Sequence, residues 1–223
     1  MKRSVLFSIL VSGIILTTQS VHATVIYESL PGSNTNHMSK HGQKGPVLAD
    51  DFTPSGSGRV SSIEWWGSAP LNPTGTDTFE VTFHPDAGGT PNTTPAGAKL
   101  SQGFVHATGV DPDGDGIFHY FANWSPMGLF LAEGVDYWFS VANSQSSWTW
   151  ASGLAPSVGS EQYDAVVSTG VGPDGGPHFG PWNYIADQDF AFRINVPEPA
   201  LFALMGLGLA GFGCRRQREK KTS

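Results

Sequence analysis

Hydrophobic and aromatic positions in this 223-residue chain form short runs and do not recur at helical spacing. In two runs, Phe79-Val81-Phe83 and Tyr137-Phe139-Val141, every second side chain can face one buried layer. Gly, Pro, Asn and Asp bound most of the runs, as they bound strands joined by tight turns. The pattern predicts strands at residues 24–29, 48–53, 60–66, 78–84, 99–108, 117–124, 129–132, 137–142, 147–151, 162–167 and 189–194. So many short strands in one domain favour an all-β fold, a single β-sandwich.

Composition supports this fold class. Gly supplies 28 positions and Pro 16, while only 14% of residues are charged, which is unusual for a helical protein. The one cysteine, Cys214, lies close to the C-terminus, so the core has no disulfide and must be held by packing. Fourteen Phe, seven Trp and five Tyr make such packing feasible, because each aromatic ring buries about 150–250 Å².

Charge is distributed unevenly along the chain. The formal net charge is −7, but residues 24–199 contain only five Lys and Arg against 18 Asp and Glu, a net charge of −13. A surface of this sign repels phosphates, so we expect no nucleic-acid partner. It is compatible with calcium, with neutral sugars, or with solubility outside a cell.

The N-terminus has the three-part pattern of a secretory signal peptide. Lys2 and Arg3 precede an apolar run over residues 5–16, and small residues at Val21 and Ala23 suit signal peptidase. The run is shorter than the roughly 20 residues that span a bilayer, which favours cleavage over permanent anchoring. We therefore assign residues 1–23 to a signal peptide and 24–195 to the folded ectodomain.

The C-terminus combines a proline hinge, a short apolar segment and a basic end. Pro197, Glu198 and Pro199 precede the Gly-rich apolar residues 200–213, which would form a short transmembrane helix. Residues 214–223 form a basic tail that would stay cytoplasmic by the positive-inside rule. Its arginines, which would act as the basic stop, are Arg215, Arg216 and Arg218. An ordinary C-terminal anchor is the alternative, but glycines weaken a permanent helix.

This order of features over residues 196–223 resembles the PEP-CTERM sorting domain. The resemblance implies a Gram-negative bacterium that makes extracellular polysaccharide, and recognition of Pro197, Glu198 and Pro199 by a membrane-embedded exosortase. It also implies cleavage near these residues, so that the protein is held at the inner membrane before processing and then reaches the cell surface or the medium. A biofilm matrix fits that destination.

The ectodomain has a looser resemblance to the jelly-roll domains that precede PEP-CTERM tails. It rests on Ala49-Asp50-Asp51-Phe52, on the runs beginning at Ile63, Phe79 and Tyr137, on Trp148-Thr149-Trp150, and on the closing run from Asp189 to Ile194. That group carries no assigned activity, so the resemblance implies a jelly-roll-like fold and an exported location but no chemistry.

Two features suggest ligands. Asp111, Asp113 and Asp115 alternate as in the first half of a calcium loop, although the position of the EF-hand glutamate holds Ala122. A looser Ca²⁺ turn and a solvated hairpin both remain open, since Asp and Gly also suit tight turns. Trp148 and Trp150, two residues apart on one strand face, could stack on sugar rings or could be core residues.

The chain contains no recognisable catalytic motif. Its histidines lack HExxH spacing, no GxSxG is present, and the only cysteine lies in the tail. A glycosidase would need a carboxylate pair across a cleft, for which Glu64, Glu80, Glu133 and Glu161 are the candidates. We expect a non-enzymatic exported protein of the cell surface or extracellular matrix. Its expected partners are signal peptidase, exosortase and, transiently, the inner membrane. The alternatives are a carbohydrate-binding module for extracellular polysaccharide and a secreted glycan hydrolase.

Overall fold

A computed structural model describes residues 23–39, 46–71, 75–92, 99–124, 128–144, 148–168 and 182–198. Within these ranges the regular structure consists entirely of β-strands, which confirms the predicted all-β class. The strands are β1 (Ala23–Ser29), β2 (Pro31–Ser39), β3 (Val47–Phe52), β4 (Gly58–Arg59), β5 (Ser62–Gly67), β6 (Thr76–Pro85), β7 (Ser101–Thr108), β8 (Phe118–Asn123), β9 (Phe130–Leu131), β10 (Tyr137–Asn143), β11 (Trp148–Gly153), β12 (Val166–Ser168), β13 (Trp182–Tyr184) and β14 (Phe192–Pro197).

The strands form two six-stranded antiparallel sheets. One has the order β1-β14-β5-β11-β2, with β8 also paired to β5, and the other has the order β13-β12-β3-β10-β6-β7. The short strands β4 and β9 form a separate pair. The chain changes sheet repeatedly, for example from β3 to β5, β5 to β6, β7 to β8 and β10 to β11, a connectivity like that of a jelly roll.

The core between the sheets is aromatic, and rings from both sheets contact one another. Phe192 of the first sheet stacks on Phe139 of the second with ring centroids 4.8 Å apart, and Trp65 meets Phe79 edge-on at 5.1 Å. Offset and edge-to-face pairs are the geometries that aromatic rings prefer. The sandwich is therefore confirmed, and aromatic packing does hold its cysteine-free core.

The predicted alternation is also confirmed. Phe79, Val81 and Phe83 are all completely buried, as alternate residues of β6 facing the core. Adjacent Trp65 and Trp66 point to opposite faces of β5: Trp65 joins the main core, whereas Trp66 packs in a smaller cluster.

The structure differs from the predicted strands in ways with local causes. Strand β2 was not predicted because its sequence is polar and starts with proline. It forms nevertheless, because an edge strand hydrogen-bonds to a single neighbour, here β11. Strands β12 and β14 start later than predicted. The amides of Gln162 and Phe190 donate to the carboxylates of Asp51 and Asp50, so they do not enter a ladder. The short strands β4 and β13 were likewise missed.

Two predicted segments lie wholly outside the described residues, the apolar segment 200–213 and the basic tail 214–223, and the predicted signal peptide is described only at Ala23. Among the residues that are described, no helix has the length and apolar character needed to span a membrane.

Candidate functional site

The first and last strands of the described chain, β1 and β14, form one antiparallel pair. Ala23, the first residue of β1, lies opposite Pro197, the last residue of β14. Val196 is still buried against the core, whereas Pro197 and Glu198 are exposed. Proline has no N–H to extend the ladder, so sheet pairing ends where the Pro-Glu-Pro motif begins.

This geometry makes the motif accessible without unfolding the domain. An enzyme can reach Pro197 and Glu198 because neither side chain is part of the core. The two predicted cleavage sites, after Ala23 and at Pro-Glu-Pro, therefore lie at the same end of the β1–β14 pair. The remaining sorting residues, Pro199, Arg215, Arg216 and Arg218, lie outside the described part of the chain.

A cleft of about 370 Å³ lies beside this strand pair, and Ala23 and Pro197 are part of its lining. Its carboxylate is Glu64, which accepts hydrogen bonds from Arg193 at 2.9 Å and Asn195 at 2.9 Å, and pairs with His119 at 2.8 Å. Burial raises the pKa of Glu64, but these hydrogen bonds and the Arg193 charge outweigh burial and lower the pKa to about 2. Glu64 is thus a fixed anion that orders the sheet, unlike the proton donor that a glycosidase requires.

Trp148 and Trp150 do not form an exposed platform, and that interpretation is wrong. Both side chains are fully buried. The Trp150 indole stacks on Phe190 at 4.7 Å and donates its Nε1 hydrogen to the Ala191 carbonyl at 3.0 Å. The spacing by two residues does place both on one strand face, but that face is the core face.

The Asp111–Asp115 segment is a turn closed by its own carboxylates. Asp111 accepts hydrogen bonds from the amides of Gly114 at 2.7 Å and Gly116 at 3.1 Å, and Asp115 accepts one from Ile117 at 2.8 Å. Both glycines have positive φ, at 73° and 85°. Asp111, Asp113 and Asp115 are not among the described carboxylates whose oxygens converge as cation ligands do. The geometry supports the hairpin interpretation, and Ca²⁺ binding by this loop stays untested.

A different set of carboxylates converges inside the fold. Ligand oxygens of Asp50, Glu161 and Asp189 all lie within 4.8 Å of one another. Asp50 lies on β3, Glu161 in the connection from β11 to β12, and Asp189 just before β14. Three segments distant in sequence therefore meet at one acidic cluster, which we define as these three residues.

Burial controls the electrostatics of the acidic cluster and its neighbours. It raises the pKa of Asp50 well above its ordinary value; the hydrogen bond from the Phe190 amide acts in the opposite direction, and repulsion from Asp189, Asp51 and Glu161 raises the pKa further. Burial likewise raises the pKa of Glu161 to about 7, with repulsion from Asp189 adding to it. The Tyr27 hydroxyl donates a hydrogen bond to Glu161 at 3.2 Å, and burial with nearby carboxylates raises its own pKa well above the ordinary value.

The acidic cluster could not be predicted from the sequence, although one signal was present. In the strand Val47–Phe52, Asp50 occupies the same face as Leu48 and Phe52, both of which belong to the core. A carboxylate at a core-facing position is costly unless it is paired. Nothing in the sequence, however, shows that Glu161 and Asp189 lie beside it.

Comparison with known proteins gives one informative match. No curated protein matches the chain. A family model does match the C-terminal part of the chain. The match starts within β14 and includes Pro197 and Glu198. The matched family is the sorting signal of exported proteins that exosortase handles at their C-termini, and residues 195–217 of this chain carry that PEP-CTERM protein-sorting motif.

Proposed function

We propose that this chain is a non-enzymatic protein of the cell surface or extracellular matrix. It is exported after signal-peptidase cleavage and then cut by exosortase close to Pro197, Glu198 and Pro199. The observation that carries this proposal is the match to the sorting motif over residues 195–217, which begins within the last described strand, β14.

The geometry of the strand ends supports processing of the folded protein. Pro197 and Glu198 are exposed while Val196 is buried, so cleavage beyond Val196 removes no core residue. The pairing of Ala23 with Pro197 brings the first residue of β1 and the last residue of β14 to one edge of the domain. The domain can therefore be anchored to the membrane at that edge during export. Release then leaves the sandwich intact.

Two observations support a role without catalysis. The described cleft beside the strand ends contains the single carboxylate Glu64 in its lining, where a glycosidase needs two. Glu64 is also held as an anion by its ion pair with Arg193. The carbohydrate-binding alternative loses its proposed platform, because Trp148 and Trp150 are core residues.

The test is cell fractionation in the protein's own host, with Glu198→Gln as the variant. We expect the wild-type protein at the outer surface or in the medium and Glu198→Gln in the inner-membrane fraction. Glu133→Gln is the matched control, because Glu133 is also exposed but lies far along the chain from the motif. Release of Glu198→Gln at the wild-type level would contradict the proposal.

A further inference from the structure

We propose that Asp50, Glu161 and Asp189 bind one divalent cation, Ca²⁺, that fastens three segments of the sandwich together. This acidic cluster is distinct from the sorting motif and from the Asp111–Asp115 turn. The inference does not depend on how the C-terminus is processed.

Convergence of the three carboxylates is the first argument. Their ligand oxygens lie within 4.8 Å of one another. Oxygens that share a Ca²⁺ ion at about 2.3–2.6 Å can be up to about 5 Å apart, whereas Mg²⁺ at about 2.1 Å limits them to about 4.2 Å. An upper limit of 4.8 Å is within what Ca²⁺ coordination tolerates, and Ca²⁺ accepts a less regular ligand arrangement than Mg²⁺ does. All-oxygen ligands are also those that hard cations prefer.

The state of Asp50 is an independent argument. Its side chain is completely buried, and although Oδ2 accepts a hydrogen bond from the Phe190 amide at 2.6 Å, Oδ1 is shielded from solvent and has no hydrogen-bond partner in the structure. A buried carboxylate oxygen without a donor is rare, because burial removes its hydration and no hydrogen bond replaces it. A cation bound between Asp50, Glu161 and Asp189 would satisfy that oxygen.

Charge balance points the same way. The described ranges contain three lysine and arginine side chains. Arg193 pairs with Glu28 and Glu64, Arg59 donates to a backbone carbonyl, and Lys99 donates to Gln102. Burial raises the pKa of each carboxylate in the acidic cluster, and repulsion from other carboxylates adds to it, from Asp164 in the case of Asp189. A bound divalent cation would attract all three carboxylates and so offset their mutual repulsion.

Location explains what the cation would do. The cluster joins β3 to the β11–β12 connection and to the residues just before β14. Backbone hydrogen bonds already pair Thr53 with Ser160, and the Gly153 amide at the end of β11 donates to the Asp189 carbonyl at 2.7 Å. Asp51, next to Asp50, accepts the Gln162 amide at 2.8 Å and so holds the same connection from the opposite face of β3. A cation would lock this junction between the two sheets.

The experiment uses the full chain in mild detergent, freed of metal on chelating resin. Ca²⁺ is titrated in by calorimetry, and thermal melts are compared in excess Ca²⁺ and in chelator. We expect one bound Ca²⁺ and, at 100 times the dissociation constant, a rise in melting temperature of about 5–10 °C. Mg²⁺ is expected to bind more weakly.

Two variants separate a ligand from a structural acid. Glu161→Gln, at a half-buried position, is expected to lose most Ca²⁺ binding, yet to melt in chelator no lower than wild type because it removes one of the repelling charges. Asp113→Asn is the matched control: it removes an equal charge from the exposed turn and is expected to keep wild-type Ca²⁺ binding.

Several results would overturn the proposal. These are no Ca²⁺ binding by the wild-type chain, wild-type binding by Glu161→Gln, loss of binding in Asp113→Asn, or tighter binding of Mg²⁺ than of Ca²⁺. Each result is independent of fractionation of Glu198→Gln, so the site and the sorting proposal can fail separately.

Discussion

Trp150→Ala should destabilise the sandwich severely. The Trp150 side chain is fully buried and contacts rings from both sheets, with Phe190 at 4.7 Å and Phe139 at 5.8 Å. Removing a buried tryptophan costs about 3–5 kcal/mol through lost transfer energy and the cavity left behind. The Ala191 carbonyl, which loses the hydrogen bond from the Trp150 indole, still accepts one from the Trp66 amide. The loss of that acceptor's partner therefore adds no further cost.

The assay is urea unfolding of the full chain followed by far-ultraviolet circular dichroism, with thermal melts beside it. A loss of 3–5 kcal/mol corresponds to a fall of about 6–20 °C in melting temperature for a domain of this size. Phe130→Ala is the matched control: Phe130 is 56% exposed, so its truncation should cost less than about 1 kcal/mol. A Trp150→Ala protein within about 0.5 kcal/mol of wild type would refute the assignment of Trp150 to the core.

Three further predictions concern stability. Gly67→Ala should unfold the protein or lower its melting temperature strongly, since a Cβ there would lie 2.1 Å from the Trp148 ring; circular dichroism melts check this. Because the pKa of Glu64 is lowered to about 2, its contribution of about 3 kcal/mol should be present above pH 4.5 and lost as the pH falls toward 2. Urea titrations of wild type and Glu64→Gln should therefore converge at low pH, and a constant gap would contradict this. Asp111→Ala should lower the free energy of unfolding in urea by about 1–2 kcal/mol, because two turn amides lose their acceptor. Asp113→Ala should stay within about 0.5 kcal/mol of wild type, and equal losses in the two variants would argue against the turn.

Much of the fold could be predicted because it is encoded locally. Period-two alternation at Phe79 and Tyr137, with Gly and Pro at the turns, identifies most strands within a few residues. Strand β2 was missed because edge pairing places few demands on side chains, so its polar sequence resembles a loop. The late starts of β12 and β14 could not be predicted, since Asp50 and Asp51 capture amides more than 100 residues away.

The same distinction between local sequence patterns and tertiary contacts applies to the candidate functional residues. The sorting motif is a linear signal, so Pro197 and Glu198 could be identified from sequence order alone. Trp150 could not be placed, because strand spacing shows which residues share a face but not whether that face is buried. The acidic cluster depends entirely on tertiary contacts that bring Glu161 and Asp189 to Asp50, and local sequence carries no trace of them.

Sorting and cleavage at the C-terminal motif can be measured by intact mass and C-terminal peptide sequencing of the protein recovered outside the host's inner membrane. We predict a mature chain that begins at Thr24 and ends near Pro197, Glu198 or Pro199, without the apolar segment 200–213 or the basic tail. A secreted wild-type chain that still ends at Ser223 would contradict the account.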